Sequence, residues 1–298
     1  MKKFLSIFLV FAMLLTALCF AGCSSKTKYV VLDDICYVLQ YATHTARVCR
    51  FEENESGVYK IKGIVLWEGQ PFVVTTIQND WYYPSGYDYL GKEVRELYIP
   101  ATVSLIDSDK FITRNLEKIE VSALSTHFKV IEGSLYNATG SRLILHVCGD
   151  GLFKTSKNLS SFTPNKQCVC HTIEVPEENK HFKSIDGVMY SKDGTTLVCV
   201  PLNRAKPYLV VPQEVTHIGE NAFGFLSLVD FPVVHIYLGG KLKEVNDYSQ
   251  FRYKNIFYTE STVYNEVLSY LKDHDYTMNY GYTEQQFLAE MKELYGEE

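Results

Sequence analysis

HFKSIDGVMYSKDG, at residues 181–194, has a near copy, HFKVIEGSLYNATG, at residues 127–140. Set side by side without gaps, residues 119–145 and 173–199 agree at 11 of 27 positions. Shared residues include Ile119/Ile173, Phe128/Phe182, Ile131/Ile185, Gly133/Gly187, Tyr136/Tyr190, Gly140/Gly194 and Leu143/Leu197. These are apolar and glycine positions, the kind that packing and turns dictate. Each copy reads as a β-hairpin, with SLY or VMY leading in, NATG or SKDG turning, and RLILH or TLVCV returning. Gly140 and Gly194 fall where such a turn needs positive φ.

A shorter period lies beneath. At an offset of 112, LYIPATVSLIDSDKF matches LVVPQEVTHIGENAF, setting Leu97, Pro100, Val103, Ile106 and Phe111 on Leu209, Pro212, Val215, Ile218 and Phe223. From Leu97 to Ile119, and from Leu209 to Phe231, is 22 residues. A period of 20–29 residues with this apolar spacing is what a leucine-rich solenoid shows. VPQEVTHIGENAF and FKSIDGVMYSKDGTTLV resemble BspA-type leucine-rich repeats, in which an IPxxVxxIGxxAF coil alternates with FxxxDGVLY hairpin modules. The resemblance runs over roughly residues 35–275, and it departs from the pattern between Cys148 and Cys170, where the IP and AF landmarks are missing.

It implies a β-rich solenoid over residues 35–260, opened by capping strands, with a helical cap at 261–298. Val263, Val267 and Leu271 share one face of a first helix. Thr283 with Gln286 forms a capping box for a second, which presents Phe287, Met291 and Leu294. One elongated domain is expected rather than two.

Residues 1–22 form an export signal: Lys2 and Lys3, an apolar run from Phe4 to Ala21, then small residues before Cys23. Phe20-Ala21-Gly22-Cys23 resembles the bacterial lipoprotein cleavage box, although Phe20 stands where leucine is usual. The resemblance implies cleavage and acylation at Cys23. The alternative is an uncleaved membrane anchor, since the run approaches the ~20 residues that span a bilayer. Either way the remainder is expected outside the cytoplasmic membrane, with 23–34 as a polar tether. Loss of residues 1–22 takes the net charge from −6 to −8. Without a basic block, such a chain offers no electrostatic footprint for nucleic acid.

No sequence pattern speaks for catalysis or a cofactor. A GxSxG elbow, a Walker loop, HExxH and the Rossmann glycines are all missing. His127 and His181 occupy equivalent repeat positions and read as structural. In Cys168-Val169-Cys170-His171 the ligand spacing is weak for zinc; Cys170 aligns with Leu116 and Cys199 with Leu145, which are core positions. No metal is expected. Six cysteines remain besides the signal and Cys23, and they allow 15 complete pairings. If residues 35–50 turn between Ala42 and Thr43, Cys36 lies opposite Cys49, where Cα atoms about 4.5–5.5 Å apart suit a disulfide.

WYYPSGYDYL, residues 81–90, breaks the period. From Phe111 to Leu116 and from Phe223 to Leu228 is five residues, whereas the matching interval from Tyr82 to Val94 is twelve. The seven-residue excess is aromatic and carries Pro84 and Gly86. Insertions in repeat proteins map to loops, often on a binding face. Trp81, Tyr83, Tyr87 and Tyr89 are therefore the expected partner contacts, although the same rings could instead cover the core edge. The expected function is a membrane-anchored extracellular recognition or adhesion lipoprotein for a protein or glycan partner. A solute-binding lipoprotein and a ligand-free envelope spacer are the alternatives.

Overall fold

Two continuous apolar runs in TKYVVLDDICYVLQ, with two aspartates between them, call for a hairpin, and one forms. The computed structural model describes residues 26–78, 94–107, 115–147, 151–162, 170–223, 233–246, 250–251, 255–260 and 266–296. The chain divides into two units, one of residues up to 111 with 120–127, the other of 112–119 with 128 onward.

In the first unit, β1 (Thr27–Leu32), β2 (Ile35–Gln40) and β3 (Thr45–Phe51) form an antiparallel meander. Asp33 and Asp34 both take positive φ at its first turn, as two-residue hairpins require. Residues 27–32 were expected to be tether; the apolar run Tyr29–Leu32 instead pairs with β2 as an edge strand. Strand β4 (Val58–Lys60) stands outside this sheet. After it, β5 (Ile64–Trp67) and β6 (Gln70–Ile77) form a hairpin whose second strand joins β3 in parallel. Strand β7 (Glu96–Ile99) runs parallel to β4, and β8 (Leu105–Ile106) extends β6. One face of the large sheet is core: Val30, Ile35, Tyr37, Leu39, Ala46, Val48, Val65, Phe72, Val74 and Ile77 are all buried. Strand β9 (Lys118–Val121) crosses the division between the units.

The second unit contains the repeated phrase twice. Strands β10 (Phe128–Ile131), β11 (Ser134–Asn137) and β12 (Leu143–Leu145) form a three-stranded meander. Next come β13 (Leu152–Lys154) and β14 (Thr172–Glu174), paired in parallel. Strands β15 (Phe182–Ile185), β16 (Val188–Ser191) and β17 (Thr196–Cys199) repeat the meander at the expected offset of 54. The hairpin read from the sequence is the second half of each meander. Gly140 and Gly194 have φ of 76° and 82°.

Two parallel ladders follow. In one, β18 (Tyr208–Val210), β20 (His235–Leu238), β22 (Ile256–Thr259) and β23 (Thr277–Tyr280) pair in sequence order, with Leu209 on Ile236, Ile236 on Phe257 and Phe257 on Met278. In the other, β17 pairs with β19 (His217–Ile218), which pairs with β21 (Glu244–Val245). The steps in register are 21 or 27 residues, bracketing the 22 read from the sequence.

Leu209, Ile236 and Phe257 are buried on one face of the four-stranded sheet. Tyr237 and Tyr258 are buried on the other, beneath Phe287 and Met291 of a helix. A parallel sheet covered on both faces accounts for the continuous apolar runs HIYL and IFYT. Helix α1 (Glu266–Asp273) precedes β23, and α2 (Glu284–Tyr295) follows it. Thr283 caps α2 with the capping box expected from Gln286. Val267 and Leu271 are buried as expected, whereas Leu294 is exposed, and it is Tyr295 beside it that meets the sheet, its ring 5.7 Å from that of His235. Val263 lies outside the described residues.

Candidate functional site

The residues expected to carry function, Trp81, Tyr83, Tyr87 and Tyr89, lie outside the described residues, as does Cys23. What is described are the two roots of the inserted segment. At the first, Gln78 donates its amide to Val48 O at 2.9 Å, and Arg47 Nη1 donates to Gln78 O at 3.2 Å. At the second, Val94 is fully buried, and the amides of Arg95 and Glu96 donate to Gly57 O at 2.8 and 3.1 Å. The long interval therefore starts and ends on hydrogen-bonded backbone.

Cys36 and Cys49 come together, though not in the register expected. The hairpin turns where predicted, with Gln40 opposite Thr45 and Tyr37 opposite Val48, but a bulge after Tyr37 sets Arg50 opposite Cys36. Cys49 is the extra residue. A bulge admits one more residue on one strand and re-aims its side chain. The two sulfurs end 3.2 Å apart, and both residues are buried.

His127 and His181 are both exposed at the entrances to their meanders. Each imidazole stands beside a backbone turn; the His181 amide donates to Asn179 Oδ1 at 2.8 Å, and its ring lies 6.4 Å from that of Phe182. Cys170 is buried with Tyr136, Phe153, Ile173, Met189 and Cys199, in keeping with its alignment on a leucine. His171 is exposed with its ring lying against Gly151, and Cys168 is outside the described residues. Among the described residues no three His, Cys, Asp or Glu side chains converge to hold a metal ion.

Two buried polar groups escaped the sequence reading. His146 is buried against Phe153, its ring 4.4 Å away, with Nδ1 3.2 Å from Ser134 Oγ. Burial pushes its imidazole down to about 4. The second group links α2 to the sheet. His235 Nδ1 lies 2.9 Å from the Tyr258 hydroxyl, which donates to Glu290 Oε1 at 3.0 Å.

Burial, and then the bond to Glu290, pushes the Tyr258 hydroxyl well above the ordinary phenol range. Burial also holds His235 down, with Glu290 opposing. With Tyr258 donating to the carboxylate, His235 Nδ1 must be the protonated nitrogen that donates to Tyr258. The arrangement holds a phenol protonated and contains no activated nucleophile. Its role is to satisfy polar groups where the helix meets the sheet. No local motif could reveal it, because its members come from three separate elements.

No protein-family model matches the chain, and none of the curated proteins does. Among solved structures, the chain is similar to the crystal structure of the pneumococcal vaccine antigen PcpA, at 13% identity and TM-score 0.36, covering 87% of this chain and 100% of that one. It is similar to a leucine-rich repeat protein from Eubacterium ventriosum at 13% identity and TM-score 0.37, over 75% and 68% of the two chains. A leucine-rich repeat protein from Bacteroides ovatus matches at 14% identity and TM-score 0.33, over 77% and 78%. The fold described above rests on strand pairings and burial rather than on these likenesses.

Proposed function

We propose that the chain is a BspA-type leucine-rich-repeat solenoid, a lipoprotein held at the extracytoplasmic face of a membrane through Cys23, which recognises a protein or glycan partner without catalysis. The observation that carries this reading is the succession of parallel registers, Leu209 on Ile236 on Phe257 on Met278, at steps of 21 or 27 residues. Stacked units of this size each borrow their neighbour's apolar face, which yields a frame for display rather than a cleft for chemistry. In the proposal the inserted aromatic segment with Trp81, Tyr83, Tyr87 and Tyr89 supplies the contact, because Trp and Tyr give large contact area at small entropic cost.

A screen of the chain against small solutes, matrix proteins and a glycan array tests the function. Saturable binding in the protein or glycan arm supports it. Binding confined to small solutes favours a solute carrier, and blanks throughout favour a spacer. Mass spectrometry of membrane-extracted protein tests the anchor, which requires residues 1–22 to be missing and a diacylglycerol on Cys23.

The same measurement addresses Cys36 and Cys49, which we propose become a disulfide after export, passing two hydrogens to the disulfide of a thiol oxidoreductase. Non-reduced peptide maps should then contain the two peptides joined. Separate, fully alkylatable peptides from exported protein would refute the bond.

A further inference from the structure

We propose that the outer edge of the first sheet, formed by Tyr29 and Val31 on β1 with Ile64 and Leu66 on β5, rests on the lipid surface to which the chain is tethered. The proposal builds on anchoring at Cys23, and its test separates the two.

β1 and β5 stand at opposite ends of the sheet order β1-β2-β3-β6-β5, yet side chains tie them together. Lys28 Nζ reaches Glu68 Oε1 at 2.9 Å and sits 4.7 Å from the centre of the Trp67 ring, and Lys62 Nζ reaches Asp33 Oδ2 at 2.6 Å. Moving along β1 from residue 28 to 33 therefore corresponds to moving back along β5 from 67 to 62. Side chains thus bridge the two edges in antiparallel order, which sets Tyr29 at the level of Leu66 and Val31 at the level of Ile64.

Sheet alternation puts these four on the face opposite the core. Tyr29 and Val31 share the side of Val38 and Cys36, which with Cys49 form a small buried cluster of their own, whereas Val30 and Lys28 share the side of Tyr37 and Leu39. Ile64 and Leu66 likewise oppose Val73 and Pro71, leaving Val65 on buried Phe72. Their relative exposures are 43% for Tyr29, 52% for Val31, 42% for Ile64 and 67% for Leu66. Four exposed apolar side chains thus stand on two edges that charged side chains bridge, and exposed apolar groups gathered in this way mark contact surfaces.

Chain length identifies the occupant. Three residues separate Cys23 from Thr27, and at most ~3.6 Å per residue puts the start of β1 within about 14 Å of the anchored residue. The headgroup layer alone is about 5–8 Å deep, so the start of β1 stays within reach of the lipid surface, and the edge it opens is the part of the described sheet nearest to the anchor in sequence. Its chemistry suits that place: a tyrosine, three aliphatic side chains, and the pairs Lys28–Glu68 and Lys62–Asp33 bounding them without net charge. Elsewhere the acidic chain is repelled by an anionic leaflet, whereas this edge is not.

The test is hydroxyl-radical footprinting of the full lipidated chain in phosphatidylcholine vesicles at low surface density, with mass spectrometry confirming the lipid on Cys23. Exposed Leu288 and Leu294 on α2 serve as the reference. Oxidation of Tyr29 and Leu66 relative to that reference should be at least about fivefold lower than in a variant with a twenty-residue Gly/Ser spacer after Ser25. A variant carrying Val31→Asp and Leu66→Asp, both at exposed positions, should keep its thermal midpoint and restore Tyr29 oxidation to the spacer level. A lipidated chain whose patch oxidises as fast as the spacer variant's overturns the proposal while leaving the anchor intact. Protection that grows with protein density on the vesicle assigns the patch to a second copy of the chain and also overturns it. Absence of lipid on Cys23 removes the anchor and the proposal together.

Discussion

The meanders β10–β12 and β15–β17 share a backbone and differ in what they bury. Both have the same first register, Ile131 on Ser134 and Ile185 on Val188, and the same bulge, between Leu135 and Tyr136 and between Met189 and Tyr190. Both bury the bulge tyrosine. Yet the second copy packs Val188 and Val200 where the first has Ser134 and His146, all four being buried. The first copy thus replaces an apolar pair with a hydroxyl–imidazole pair at 3.2 Å.

Turn chemistry differs too. Asn137 Oδ1 accepts from the amides of Ser141 and Arg142 in the first copy, whereas in the second Asp193 accepts from the Ser191 hydroxyl and from the amide and hydroxyl of Thr195. Those bonds hold the Asp193 carboxyl down at about 2. Tyrosine, glycine and alternating apolar positions fix the frame, and polar residues vary within it.

The comparison breaks most sharply at the tyrosines. If Tyr136 and Tyr190 are equivalent keystones, Tyr136→Ala and Tyr190→Ala should each cost about 3–5 kcal/mol in urea unfolding. A cost below about 1 kcal/mol at either position would show that the two frames are not equivalent.

The buried pair sharpens it through pH. Folded chain keeps His146 neutral down to about pH 4, whereas unfolded chain takes up the proton near pH 6.5. Stability from this group is therefore complete above pH 6.5 and is lost as pH falls toward 4, by up to about 3 kcal/mol. Double substitution Ser134→Val with His146→Val, which writes the second copy's residues into the first, should remove that slope. The double variant should be at least as stable as wild type at pH 7, since replacing both partners of a buried polar pair leaves neither unsatisfied. Persistence of the slope would assign it to another group. The Asp193 turn supplies a separate acid loss, present above the ordinary carboxylate range and fading as pH drops through about 2.

The smallest effect distinguishes the first turns. Gly133 and Gly187 have φ of 76° and 71°, so alanine at either costs about 1–2 kcal/mol. A Cβ on Gly133 meets nothing within 4 Å, whereas one on Gly187 meets Thr172 Cγ2 at 3.1 Å. Gly187→Ala should be the more destabilising in parallel thermal melts, and the reverse order would contradict the packing.

These particulars show how much the sequence could disclose. The meanders were legible because turn glycines and alternating apolar residues are local signals, and because two copies could be checked against each other. The capping box of α2 was legible for the same reason. Strand β1 was overlooked since its edge position leaves half its apolar residues exposed. The bulge at Cys49 depends on the partner strand's geometry, which no single run of residues reports. Leu294 follows the helical period of Phe287 and Met291, but at this end of α2 the contact with the sheet is made by Tyr295 on His235. His235, Tyr258 and Glu290 meet only after three elements have packed.

Where the two copies agree, residues build the frame; where the chain departs from its own repeat, the frame does not require them. Residues 81–90 fall in an interval seven residues longer than its counterparts, and the proposed recognition role rests on them. The most direct measurement compares wild type with the triple variant Tyr83→Ser, Tyr87→Ser, Tyr89→Ser, in thermal melts and in binding to the partner returned by the screen. The account predicts a midpoint within about 3 °C of wild type, as for surface substitutions, together with loss of saturable binding. A triple variant that unfolds, or one that binds as wild type does, would contradict it.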